Sequence, residues 1–211
     1  MTSMKILNLY SGIGGNRKRW NHGQVTAVEK NDEIAKVYND HFPGDRIIVG
    51  DAHEYLLDNY NNYDFIWSSP PCQTHSRARF WASKGGKCKP KYAEMNLWQE
   101  IIFLKSYCSK RLWVVENVIP YYTALMKPCY IIGRHFIWSN FPINSINACN
   151  IISPLKITSK TVLYDFNLSS YKMNIRKDQL LRNCVNPYLG EHIINCALNY
   201  IHENNNNRTS R

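Results

Sequence analysis

Residues 63–73 read YDFIWSSPPCQ. Phe65, Ile66 and Trp67 form an apolar run with the length and residue types of a buried strand. Pro70 and Pro71 end it, because proline neither donates to a ladder nor continues a helix. Cys72 follows at once. A thiol just past the carboxyl end of a strand, on a loop stiffened by two prolines, stands where open α/β sheets hold their ligands.

The rest of the chain supplies such a sheet. MKILNLY (4–10), VTAVE (25–29), RIIV (46–49) and LWVVEN (112–117) read as further strands. NDEIAKVYNDHF reads as a helix capped by Asn31 or Asp32, and residues 93–108 carry helical spacing. Short apolar runs alternating with helical patterns mean βαβ units around a parallel sheet. The expected fold is therefore α/β, a doubly wound, mostly parallel sheet, compact to about residue 140. Residues 141–178, rich in Asn, Ser, Ile and Lys without a period, read as a small insertion. A helical pattern resumes over 179–201, broken at Asn186-Pro187. The tail HENNNNRTSR reads as frayed, with 204–211 disordered.

Five strand ends then meet on one rim. They bring Ser11-Gly12-Ile13-Gly14-Gly15, Glu29, Gly50-Asp51, Pro70-Pro71-Cys72-Gln73 and Glu116-Asn117. The glycines let backbone approach a ligand closely. They suit a plain tight turn as well, and Arg17 breaks the dinucleotide pattern GxGxxG. Glu29 suits ribose hydroxyls, and Asp51 suits an adenine amino group. Together they describe an adenosine site with no pyrophosphate demand, which points to S-adenosylmethionine rather than NAD.

Composition narrows the partner. The chain has 211 residues, 44% hydrophobic and 20% charged, with 26 Lys and Arg against 16 Asp and Glu, a net +10. Such a basic excess points to nucleic acid. No apolar run approaches the roughly 18–20 residues of a membrane span, and the first residues lack a signal-peptide layout. The expected location is cytoplasmic, with no membrane partner. Seven cysteines, none in a CxxC pair, argue against a disulfide framework and against a metal site. After Cys72 comes THSRARFWASKGGKCKPK, a basic stretch with two aromatics and two glycines. It reads as a mobile loop whose cations favour the Cys72 thiolate and grip phosphates.

LNLYSGIGGNR, VTAVEKND, GDA, DFIWSSPPCQ, WVVENV and RNCVNP, in that order, resemble the motifs of the cytosine-5 DNA methyltransferases. The resemblance covers about residues 4–140 and 179–200. It implies a Rossmann-like S-adenosylmethionine-dependent methyltransferase core, with the catalytic domain in 1–140 plus 179–203 and a minimal target-recognition region in 141–178. By the same resemblance Cys72 is the nucleophile toward C6 of a flipped-out cytosine, Glu116 the acid at N3, and Arg134 a contact to the target base. The cofactor would meet Tyr10, Gly12, Ile13, Gly14, Gly15, Glu29, Lys30, Asp51, Ala52, Pro70, Leu97, Asn183 and Cys184. Gln73, Ser76, Arg77, Arg79, Lys84 and Lys87 would face nucleic acid, while Pro71 and Asn117 support the cysteine loop. Lys156, Lys160, Lys172, Arg176 and Lys177 lie in the short recognition region. The implied substrate is double-stranded DNA, and RNA stays open because one branch of the family acts on tRNA. A binding protein with a degenerate site is the rival of a different class. A cognate restriction enzyme or a specificity partner is implied alongside a monomeric enzyme. Restriction-linked modification, self-protection and solitary regulation all stay open as roles.

Overall fold

The computed structural model of the protein describes residues 3–146 and 161–209. Lys156 and Lys160 of the expected recognition region lie outside the described residues, as does Cys149. The strands are β1 (Lys5–Leu9), β2 (Gln24–Glu29), β3 (Arg46–Val49), β4 (Phe65–Ser68), β5 (Leu112–Val118), β6 (Tyr130–Ile132), β7 (His135–Ser139), β8 (Val162–Leu163) and β9 (Phe166–Asn167). The helices are α1 (Asp32–His41), α2 (Ala52–Asn59), α3 (Arg77–Lys84), α4 (Asn96–Tyr107), α5 (Lys177–Asn183) and α6 (Pro187–Thr209).

Seven strands form one sheet in the order β3-β2-β1-β4-β5-β7-β6. The first five are parallel, and β7 and β6 close the far edge antiparallel. The chain winds outward from β1 through β2 to β3, then returns to place β4 on the other side of β1. That reversal opens a crevice at the carboxyl ends of β1 and β4. The fold is a Rossmann-like α/β sheet.

Strand alternation builds the two layers. Ile6, Phe65, Trp67 and Val114 face one way and pack with Leu189, Ile193, Ile194 and Ala197 of α6. Leu7, Leu9, Ile66 and Val115 face the other way, onto Leu56 of α2 and Leu97, Trp98, Ile101 and Leu104 of α4. A strand buried on both faces reads as a continuous apolar run, which is why FIW in β4 marks the centre of this sheet. Each such aliphatic side chain contributes about 1.5–3 kcal/mol on burial.

α1, α2 and α6 start on side-chain caps. Asn31 accepts the Ile34 N–H at 3.0 Å and starts α1. Asp51 accepts the His53 and Glu54 N–H groups at 2.9 and 3.3 Å and starts α2. The helical pattern over 179–201 resolves into two helices. Asn186 accepts the Tyr188 N–H at 2.9 Å, and Pro187 takes the first helical position, where its missing N–H costs nothing. α6 continues to Thr209, into the segment that the sequence marks as a tail.

One close approach seats α6 against the glycine loop. A Cβ on Gly190 would stand 2.1 Å from the Asn16 carbonyl oxygen, so only glycine allows this contact. Beyond β7, the hairpin of β8 and β9 joins α5 in packing against the same loop. Phe166, Leu168, Leu180 and Leu181 bury Ile13 and Val37. The hairpin of β8 and β9 thus backs the glycine loop and α1.

The basic stretch after Cys72 departs from expectation. Residues 77–84 form α3, and Phe80 stacks on Tyr121 at 4.3 Å and 5°. Ser76 bridges to Pro120, and Arg77 Nε–H donates to the Pro120 carbonyl at 3.0 Å. Phe80 and Arg77 have partners on the β5 connection while Trp81 stays exposed, so residues 77–84 form an anchored helix where the sequence suggested a mobile loop.

Candidate active site

The crevice encloses a cavity of about 350 Å3. The loop after β1, the ends of β2, β4 and β5, the start of α2, the turn into β7 and the end of α5 all line it. One end carries acids around the glycine loop. Glu29 leaves β2 and accepts the Gly12 N–H at 3.0 Å and the Asn31 N–H at 2.9 Å. Burial pushes its carboxyl above the usual range, and those backbone donors offset part of the shift. Asp51 is also pushed up by burial, but the Lys30 ammonium at 3.1 Å and the α2 N–H groups outweigh that and hold it below the usual range. Tyr10, at φ +54, donates its hydroxyl to the fully buried Glu100. Glu100 also accepts from Ser68 and faces His53 Nδ1 at 3.2 Å.

Cys72 and Glu116 define the other end. Pro70 and Pro71 carry the chain off β4, and Cys72 opens a short 3-10 turn, Cys72–Thr74. Glu116, near the end of the adjacent β5, is 4% exposed. Its Oε2 accepts from Ser69 Oγ at 2.9 Å, and Ser69 Oγ in turn accepts the Trp67 Nε1–H at 2.7 Å. Its Oε1 meets His135 Nδ1 in a short hydrogen bond. Asn117 Nδ2–H donates to the Pro70 carbonyl at 2.8 Å, fastening the end of β5 to the cysteine loop. Cys72, Glu116, Glu29 and Asp51 therefore share one cavity.

The model of the C-5 cytosine-specific DNA methylase family matches residues 4–118. The chain belongs to that family. The match includes Cys72, Glu116, Glu29 and Asp51, and ends before β6, β7 and α5. Among curated relatives, the human tRNA (cytosine(38)-C(5))-methyltransferase is 29% identical over 84 residues, 36% of this chain and 22% of that protein. Its Spodoptera frugiperda counterpart is 35% identical over 82 residues, 36% of this chain and 25% of that protein. The chain thus spans about a quarter of the length of the curated relatives it matches. A crystal structure of Spodoptera frugiperda DNMT2 aligns at 28% identity and TM-score 0.38, covering 55% of this chain and 36% of that one. A SAM-dependent methyltransferase from Agrobacterium tumefaciens aligns at 13% identity and TM-score 0.39, covering 58% and 41%.

This family member keeps most expected residues at the cavity and departs at several. Tyr10, Gly12, Ile13, Gly15, Glu29, Lys30, Asp51, Ala52, Pro70, Asn183 and Cys184 all line it, as do Cys72, Glu116 and Arg134. Gly14 does not. It has φ +87, and a Cβ there would stand 2.2 Å from the Phe42 ring, so it turns the loop and packs against α1. Leu97 does not line the cavity either. It is 2% exposed in the α4 core, and Asn96 reaches the wall in its place.

The charge environment of Cys72 reverses one expectation. Burial pushes its thiol up to about 11, and the Glu116 carboxylate adds to the rise. Arg134 opposes both, and no cation of the 77–91 stretch figures in the balance. A thiolate is disfavoured where the sulfur is largely withdrawn from water and an anion stands close.

The sequence reading misses His135, Ser69, Asn16 and Glu94, all on the cavity wall. His135 is the most consequential. Antiparallel register sets Ile137 opposite Glu116, and His135 lies two residues along the same face. The period-2 pattern of GRHFIWS carries that signal, but only once the pairing of β7 with β5 is known. Of the residues expected to face nucleic acid, Gln73 lines this cavity, Ser76, Arg79 and Lys84 line a second one with Gln73, and Lys87 is exposed.

Proposed function

We propose that the protein methylates C5 of cytosine in a nucleic acid, using S-adenosylmethionine and a covalent adduct on Cys72. One observation carries the reading: Cys72 and Glu116 converge at one end of a cavity whose other end presents Glu29 and Asp51 beside a glycine loop.

The residues present fit the cofactor. Ser11 Oγ and Glu94 Oε1 are buried without hydrogen-bond partners among the described residues, and both residues border the cavity. A ligand carrying amino and hydroxyl donors satisfies such atoms, which otherwise cost about 1–3 kcal/mol each. Glu29 and Asp51 would hold the ribose and adenine, and Tyr10, Pro70 and Cys184 would supply apolar walls. When bound, the cofactor supplies an electrophilic methyl group.

The chain's own residues do the rest. Cys72 loses its proton and adds through sulfur to C6 of the cytosine, while Glu116 delivers a proton to N3. The pair of electrons pushed to C5 forms the new bond to the methyl carbon, whose bond to the cofactor's sulfur breaks to leave a neutral thioether. Loss of the C5 proton to a base then expels the Cys72 sulfur, N3 returns its proton to Glu116, and the aromatic ring is restored. Covalent addition splits one difficult substitution into two easier steps. The acid keeps negative charge off the ring. Asn117 and the two prolines fix the sulfur, and Arg134 offsets part of the anionic field around it. A base inside a duplex has to leave the stack to reach this depth. Duplex DNA is the proposed substrate. The curated relatives are tRNA methyltransferases by name, which favours RNA as the second reading.

The test offers labelled S-adenosylmethionine with duplex DNA and tRNA side by side, then bisulfite sequencing of the labelled product. Methylated cytosines in DNA support the first reading, and label on tRNA alone moves the substrate to RNA. Cys72→Ala is expected to abolish transfer while cofactor binding survives. Full activity in Cys72→Ala refutes the mechanism.

A further inference from the structure

Beside the cysteine turn lies a second cavity of about 240 Å3. It is separate from the first but shares Gln73 with it, one residue from Cys72. Its lining has three cations, Arg79, Lys84 and Lys91, and no carboxylate. Glu94, the nearest acid along that segment, borders the main cavity instead. Arg79 Nε is buried and has no hydrogen-bond partner among the described residues. An anion is the ligand that such a set lacks.

The other walls are aromatic. Tyr121 borders the cavity, backed by its stack on Phe80. Tyr92 borders it too and is 88% exposed, a ring with little to cover it. The walls are fixed to the catalytic turn. Tyr121 N–H donates to the His75 carbonyl at 3.1 Å, and Glu94 N–H donates to Thr74 Oγ1 at 3.3 Å. The volume falls below the roughly 300–1,000 Å3 of sites for drug-sized ligands, so it suits a single ring system. Cations with exposed aromatics are how proteins hold unpaired nucleotides, phosphate on the charges and base on a ring.

We propose that this cavity receives an unpaired nucleotide flanking the target cytosine, with its phosphate on Arg79, Lys84 and Lys91 and its base against Tyr92 and Tyr121. The inference rests on the methyltransferase reading and adds to it. The substrate would be opened at two adjacent positions, the cytosine in the main cavity and its neighbour here. DNA and RNA both supply such a nucleotide.

An abasic scan tests this. Short single-stranded DNA and RNA oligonucleotides with one cytosine, each lacking one base at a stated distance from it, are titrated against wild type, Tyr92→Ala and Arg79→Met. Tyr92 is too exposed for its truncation to threaten folding. Removing the base at one adjacent position is expected to weaken wild-type binding about tenfold and to leave Tyr92→Ala unchanged. Tyr92→Ala is expected to bind the intact strand about as weakly as wild type binds that abasic one. Arg79→Met should weaken all strands and flatten the salt dependence. Coupling with DNA, with RNA or with both supports the proposal and names the source. A flat scan alongside methyl transfer overturns the second cavity alone. Independent, multiplying effects of Tyr92→Ala and base removal overturn it as well. Failure of every oligonucleotide to bind, with no methyl transfer, overturns both readings.

Discussion

Replacing Asn117 with leucine should separate the positioning of the cysteine from the binding of the cofactor. Asn117 is 1% exposed, its amide donates to the Pro70 carbonyl at 2.8 Å, and its Oδ1 accepts the Val118 N–H at 3.0 Å. Leucine fills similar space and restores neither bond. Two buried backbone groups then lose partners, each at about 1–3 kcal/mol. The expected destabilisation is about 2–4 kcal/mol, since the Pro70 carbonyl can relax toward the cavity. With a urea slope of about 2 kcal/mol per molar, the midpoint falls by about 1–2 M. The functional effect is separate. Pro70 precedes Cys72 by two residues, and a shift of about 1 Å at a nucleophile can cost about a hundredfold. Single-turnover methyl transfer should fall by about that factor, measured well below the unfolding midpoint. The cofactor dissociation constant should change by less than about threefold, because Glu29 and Asp51 sit on other strands. Wild-type turnover in a destabilised protein would refute the positioning argument. Cofactor binding lost in step with turnover would show that the loop belongs to the cofactor site as a whole.

Three further outcomes follow from the charge environment. Glu29→Gln keeps one acceptor for the Gly12 N–H but loses the charge, so cofactor affinity should drop about tenfold or more, read by calorimetry. An unchanged constant would remove Glu29 from the site. With the Cys72 thiol at about 11, only about one molecule in a thousand carries the thiolate at pH 8, so alkylation of the Cys72 peptide by iodoacetamide should climb steadily from pH 7 to 10. A plateau below pH 9 would contradict the buried, anion-flanked setting, and Arg134→Met should slow the reaction further. His53 is raised by its hydrogen bond to Glu100. A raised histidine contributes stability fully below its unfolded value near 6.5 and loses it as pH rises through the folded value. The melting temperature should therefore decline above about pH 6.5, and His53→Gln should flatten that decline.

Local chemistry in the sequence determined the five parallel strands, the crevice rim and the placing of Cys72, Glu116, Glu29 and Asp51 on it. Apolar runs too short for helices and punctuated by Gly, Pro and Asp carry that information within a few residues. α1 was legible from its cap and periodicity. α2 was not, because its apolar face is narrow and its cap, Asp51, reads equally well as a ligand. α3 was hidden for a different reason: a basic segment looks solvated until Tyr121 and Pro120 give its Phe80 and Arg77 somewhere to dock. Tertiary structure alone decided three properties of the site. Antiparallel pairing of β7 on β5 put His135, rather than Phe136, beside Glu116. Packing moved Gly14 and Leu97 off the cavity wall. Burial summed over every element around Cys72 set its thiol high, against the sign that the nearby lysines and arginines suggest. Register and burial depend on contacts between segments far apart in the chain, and no local pattern encodes them.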